Sequence, residues 1–227
     1  MFPHHAESIE VIENHFLADP KVQALILTGS IAHGFQAAES DVDALIVLSE
    51  EDYQQHVDAG NMTVVLHDVT THPGGYLDGK YTSLSFIKQV VEICRKRERQ
   101  RRFRAQLEIW TWYTGEAIKK KNKYLLHTAV GKLILFGGRL ILSHNELLYP
   151  YHKWFIRVLE GAPQKPEGLM ACIDDLASEP TLDKVQAFAS LIKGFQDWPT
   201  GPHRFGATFI EDSELNWLHV KTPVEDI

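Results

Sequence analysis

Two apolar runs, residues 22–28 and 42–48, are joined by a short connection that constrains this chain more than any other feature. Gly29-Ser30 ends the first run, and Asp41-Val42-Asp43 opens the second. Aspartates at i and i+2 on a strand point to one face. Two like charges there repel, and strands disfavour Asp. A divalent cation shared by both carboxylates relieves the repulsion, and hard oxygen ligands suit Mg²⁺. A glycine turn that opens a helix offers backbone N–H groups to phosphate oxygens. The stretch therefore predicts a metal-dependent site that handles a nucleoside triphosphate.

The surrounding pattern sets the fold class. Residues 7–17 carry apolar side chains at 9, 12, 16 and 17, the spacing of an amphipathic helix. Residues 22–28 and 42–48 read as buried strands, 31–34 as the first turn of a short helix, and 50–57 as another short helix. Residues 61–69 are β-branched enough for a third strand, 70–75 form a turn around Pro73 and a glycine pair, and 76–82 supply a fourth strand. From Ser83, a helix cap, the sequence turns helical. Helices are expected over 84–95, 103–121, 125–142, 151–160, 168–177 and 182–195, with a Pro/Gly linker at 161–167 and a loop at 199–208. The fold class is α+β: a mixed sheet with flanking helices over residues 1–90, then a helical bundle over 91–227.

Composition excludes several classes. At 227 residues, 44% hydrophobic and 23% charged, the chain matches a soluble globular protein. The apolar runs at 44–48 and 133–136 are too short to cross a bilayer, so no membrane role is expected. The start lacks the basic and apolar regions of a signal peptide. Cys94 and Cys172 show neither metal spacing nor a disulfide framework, which suits a reducing cytoplasm. None of the twelve histidines forms a His-x₃-His pair on a helix, so no zinc site is expected. The net charge is −7, yet residues 95–104 hold seven basic side chains and one acid. An acidic protein with a single basic stripe is not a general nucleic-acid binder. The stripe is either a contact for phosphates or a helix face paired with the acidic remainder.

An apolar run, Gly-Ser, a ten-residue gap, Asp-x-Asp and a second apolar run together resemble the signature of the DNA polymerase beta-like nucleotidyltransferase superfamily. The later helices, with Arg139 and Leu-Tyr-Pro-Tyr-His-Lys-Trp at 148–154, are similar in character to small bacterial members, including the antibiotic nucleotidyltransferases. The motif spans about a tenth of the chain. The resemblance implies that Gly29 and Ser30 bind the triphosphate and that Asp41 and Asp43 hold Mg²⁺. It also implies a third carboxylate on a later strand, as ligand, base or both; Asp78 is the first choice and Asp68 the alternate. The implied reaction transfers a nucleoside monophosphate, AMP from ATP, to a hydroxyl of a small molecule such as an aminoglycoside-like antibiotic. A protein hydroxyl is the alternative acceptor. An idle nucleotide sensor or an antitoxin-type partner is the alternative role. A homodimer is compatible with the resemblance.

Further residues carry two readings each. Asp78-Gly79 is also a turn signal, which would put Asp78 at a hairpin tip. Residues 74–80 have P-loop spacing, but Tyr81 stands where Ser or Thr should reach the metal. Lys80 shares a strand face with Asp78 and could meet a phosphate or neutralise the acid. Lys132, Arg139 and Lys153 are either triphosphate ligands or ordinary charges. Trp110, Trp112 and Trp154 are either a stacking wall or core aromatics. The acids at 211–214 could draw in a cationic acceptor or simply begin a helix. His33 lies in the Gly-Ser turn, within reach of a phosphate or without a role.

Overall fold

The structure, a computed structural model, describes residues 1–93, 96–201, 204–219 and 223–225. Cys94 and Arg95 therefore lie outside the described residues. The chain divides into two units, Met1–Glu92 and Ile93–Ile227.

The first unit begins with α1 (Pro3–Leu17), which has Pro3 in its first turn, a position that suits the fixed φ of proline. It buries His5, Ser8, Ile12 and Phe16 at spacings of three and four, one face of a helix. Then follow β1 (Val22–Thr28), α2 (Gly29–Ala32), β2 (Val42–Leu48), α3 (Glu50–Asp58), β3 (Thr63–Leu66), β4 (Leu77–Ser83) and α4 (Leu84–Ile93). The four strands form one sheet in the order β1-β2-β4-β3. β1 and β2 are antiparallel, β2 and β4 parallel, and β3 and β4 antiparallel.

Alternation along β2 puts Val42, Ala44, Ile46 and Leu48 on one face. They pack with Ile12 and Phe16 of α1, Ile31, Val69 and Leu77. Asp43 and, in register, Asp78 occupy the opposite face. The core thus fixes which side the acids take, because a one-residue slip would bury them. Side-chain caps set two helix starts. Ser49 accepts the Asp52 N–H at 3.2 Å, and Ser83 accepts the Phe86 N–H at 3.2 Å.

The second unit is helical: α5 (Lys96–Lys119), α6 (Lys123–His144), α7 (Tyr151–Glu160), α8 (Leu169–Ser178), α9 (Leu182–Phe195) and α10 (Phe205–Phe209). Its core joins Phe103 and Leu107 of α5, Leu133, Phe136 and Leu140 of α6, Leu159 of α7, and Phe188 of α9. Each such side chain contributes about 1.5–3 kcal/mol by leaving water. α6 is long and apolar enough to span a membrane by length and composition, but most of its apolar window is buried in this unit.

Three expectations shift. The third strand is shorter than residues 61–69, because β3 pairs only from Thr63 to Leu66 before the chain turns away at His67 and Asp68. The basic run does not precede a helix at 103; its described part forms the first turns of α5. There Arg101 pairs with Glu98 at 2.6 Å, Arg104 with Glu108, and Arg102 with Asp212 at 2.9 Å. Residues 199–208 are not all loop. Tertiary packing draws 205–209 into α10 despite Gly206: the Arg104 guanidinium lies 5.0 Å over the Phe205 ring, and Phe209 meets Trp110 edge-on at 5.7 Å.

Candidate active site

The site is assembled around the second residue of β2. Asp43 pairs in register with Asp78 of β4 and with Thr28, the last residue of β1. Register partners stand on one face, with side chains close enough to interact. Immediately after Thr28 the backbone turns sharply: Thr28 is extended and Gly29 adopts φ +64°. A Cβ on Gly29 would sit 1.8 Å from Oδ2 of Asp43 and 2.4 Å from its Cγ. Only glycine lets the Gly29-Ser30 backbone lie against this carboxylate, and only glycine takes that φ without strain. Ser30 is buried, and its carbonyl accepts the Phe35 N–H at 2.8 Å, which folds the connection back on itself.

Asp41 enters through Tyr76. The Tyr76 hydroxyl donates a hydrogen bond to the Asp41 carboxylate, and the Val42 N–H donates to the Tyr76 carbonyl at 3.0 Å. That hydrogen bond, and then the charge of Asp41, hold the Tyr76 phenol above its ordinary value; burial and the charges of Asp78 and Asp43 add to the effect. One hydroxyl thus senses all three carboxylates. Asp41, Asp43, Tyr76 and Asp78 are each half-buried. The three acids remain more open than a closed ligand set. Among the described residues, the one group of three His, Cys, Asp or Glu side chains whose donor atoms all lie within 4.8 Å of one another is His4, His5 and His72.

Asp78 lies inside β4, not at a hairpin tip. Asp68 is exposed in the turn after β3. Lys80 is exposed, two residues beyond Asp78 on its face. The P-loop spacing at 74–80 has no P-loop behind it, because Gly79 and Lys80 are strand residues and no helix begins at the lysine. His33 is exposed and stacks on Phe35 at 5.7 Å.

The other candidates belong to the helical unit. Arg139 is 2% exposed, with its guanidinium 4.6 Å from the Phe103 ring and 4.3 Å from the Tyr149 ring. It also donates to the carbonyls of Val224 and Glu225. Lys132 pairs with Glu225. Lys153 is exposed, with its ammonium 5.2 Å from the Trp154 ring. Trp110 donates to Gln106 at 2.9 Å and packs against the helical core, while Trp112 is exposed. Of the acids at 211–214, Asp212 is buried against Arg102, so the segment is an internal ion pair flanked by exposed glutamates.

Residues 9–109 match the family described as nucleotidyltransferase domain. This chain carries a nucleotidyltransferase domain. The domain spans the sheet and both aspartate-bearing strands and continues into α5, so the resemblance read from the Gly-Ser and Asp-x-Asp stretch is borne out. No curated protein matches the sequence. The crystal structure of a nucleotidyltransferase-like protein from Exiguobacterium sibiricum 255-15 is similar over 96% of this chain and 88% of its own. Its identity is 12% and its TM-score 0.46. Nucleotidyltransferase domains usually use a divalent metal, and the residues here fit one. The donors are carboxylate oxygens, a hard set. Gly29 has no Cβ, so the Asp43 carboxylate lies directly against the Gly29-Ser30 backbone. The sequence reading missed Tyr76. Its signal was the alternation Tyr76, Asp78, Lys80, the spacing of one strand face, although β4 itself begins at Leu77.

Proposed function

We propose that this protein is a Mg²⁺-dependent nucleotidyltransferase that moves AMP from ATP to a hydroxyl of a small cationic acceptor of the aminoglycoside type. The observation that carries this reading is the register pairing of Asp43 with Asp78 beside Gly29. Like charges side by side on an open strand face are costly unless a cation or substrate offsets them. Asp41, Asp43 and Asp78 would hold the metal, which when bound neutralises phosphate charge and acidifies the attacking hydroxyl. Gly29 and Ser30 hold the triphosphate, and Lys80 offers it a cation. Asp78 accepts the proton as the acceptor oxygen bonds to the α-phosphorus. The α–β bridging P–O bond breaks and pyrophosphate leaves. Tyr76 keeps the Asp41 carboxylate oriented. Arg139, enclosed by two rings, acts through the fold of the helical unit. A net charge of −7 favours a cationic acceptor, and two cysteines without a framework suit the cytoplasm.

The test is Mg²⁺-dependent pyrophosphate release from ATP across a panel of aminoglycosides, with Asp43→Asn as the control. Turnover that requires one acceptor and vanishes in the variant supports the transferase. Tight nucleotide binding without release, with every acceptor, assigns the idle-sensor role instead.

A further inference from the structure

Three histidines distant in sequence meet at the amino-terminal end of α1. His4 and His5 come from its first turn, and His72 from the loop before β4. Their ring centroids are 4.3 Å apart for His4 and His5, 4.7 Å for His4 and His72, and 5.4 Å for His5 and His72. One ligating nitrogen of each lies within 4.8 Å of the others. The hydrogen bonds sort the nitrogens. His4 Nε2 faces the Ala38 carbonyl at 2.9 Å, and His5 Nε2 faces the Ser40 carbonyl at 3.1 Å. A carbonyl only accepts, so both Nε2 atoms carry the hydrogen, and in the neutral form of each ring Nδ1 keeps the lone pair. His5 is fully buried, and its Nδ1 has no partner among the described residues. Both nitrogens of His72 are likewise shielded and without a partner among those residues. Buried polar atoms in this state are rare in a folded protein.

We propose that His4, His5 and His72 form a transition-metal site of the zinc class, with three neutral imidazoles as ligands and no fourth protein ligand among the described residues. Imidazole suits Zn²⁺ and its neighbours, and an open fourth position is a common Zn²⁺ arrangement. A ligating histidine typically donates its other ring N–H to a backbone carbonyl, as His4 and His5 do here. Tetrahedral Zn–N bonds of about 2.0–2.1 Å need nitrogens roughly 3.3 Å apart, so small rotations of the rings close the set. His72 is already clamped. A Cβ on Gly75 would come within 2.4 Å of its ring, the Gly75 N–H donates to the His72 carbonyl at 3.1 Å, and Thr70 donates to the Gly75 carbonyl at 2.7 Å.

The position gives the site its use. Ala38 and Ser40 lie in the connection that delivers Asp41, and His72 lies in the loop that delivers Tyr76 and Asp78. A metal here ties both loops to α1 without touching the carboxylates. The site is independent of the transferase reading, because its donors are imidazoles and its readout is metal content.

The experiment uses full-length protein made without a histidine tag, stripped with chelator and titrated with Zn²⁺ and Co²⁺ in excess Mg²⁺, which occupies the carboxylates. The expected result is one equivalent bound, a tetrahedral Co²⁺ spectrum, a higher Tm, and slowed amide exchange in residues 36–40 and 70–75. His72→Gln should keep its circular dichroism and lose affinity by more than the roughly 10–100-fold that removal of a supporting partner costs. His4→Gln gives the same readout if His72→Gln fails to fold. Absence of uptake, or uptake unchanged in a folded His72→Gln or His4→Gln protein, overturns the proposal.

Discussion

Replacing Gly29 with alanine tests the geometry of the candidate site through stability, before any substrate is known. Two costs add. The backbone at φ +64° lies in the left-handed region, where an L-residue costs about 1–2 kcal/mol. The new Cβ would overlap Oδ2 of Asp43 at 1.8 Å and its Cγ at 2.4 Å. Relieving that overlap means moving a strand side chain held between Thr28 and Asp78, an overpacking cost of about 1–3 kcal/mol. The first unit should therefore lose about 3 kcal/mol. Gly34 supplies the control. Its φ is +71°, but a Cβ there meets nothing within 4 Å, so Gly34→Ala should cost only the backbone term, about 1–2 kcal/mol. Urea unfolding followed by circular dichroism measures both, and calorimetry with Mg²⁺ and a non-hydrolysable ATP analogue should show weaker binding in Gly29→Ala alone. Equal destabilisation by the two substitutions, with nucleotide binding intact, would falsify the claim that Gly29 exists to admit the Asp43 carboxylate.

Asp41→Asn and Asp43→Asn should each abolish metal-dependent nucleotide binding in calorimetry while Tm holds or rises, because each relieves repulsion and leaves the core untouched. Asp212→Ala should destabilise the helical unit by about 3–5 kcal/mol in urea, since it strands the buried Arg102 guanidinium; an effect below about 1 kcal/mol would return Asp212 to the acids that could draw in a cationic acceptor. Glu50 accepts the Ser85 N–H at 2.9 Å and its hydroxyl at 2.7 Å, and these bonds hold its carboxyl below the ordinary value of 4.5. A depressed folded value means stability that is present above pH 4.5 and lost as pH falls through the folded value. The Tm gap between wild type and Glu50→Gln should therefore be constant near neutrality and close below pH 4.5.

The elements whose signals were local were legible in the sequence. β1, β2, α7 and α9 fall where the apolar runs and caps put them, and Asp43 takes the face of β2 opposite the core because the alternating residues Val42, Ala44, Ile46 and Leu48 pack with α1. Ser83 caps α4 as its residue type suggested. The structure alone settled whatever depended on partners far along the chain. α10 forms against Gly206 because Arg104 and Trp110, about a hundred residues earlier, cover its aromatics. Arg139 is indistinguishable from a ligand in sequence, and only packing encloses it between Phe103 and Tyr149. The parallel pairing of β2 with β4 brings Asp78 beside Asp43 across 35 positions, and the turn at 70–75 brings His72 to His4 and His5. Periodicity reports which face a residue takes. Which distant residue shares that face is decided by strand order and helix docking, because those long-range contacts must outweigh the entropy of closing the loops between them.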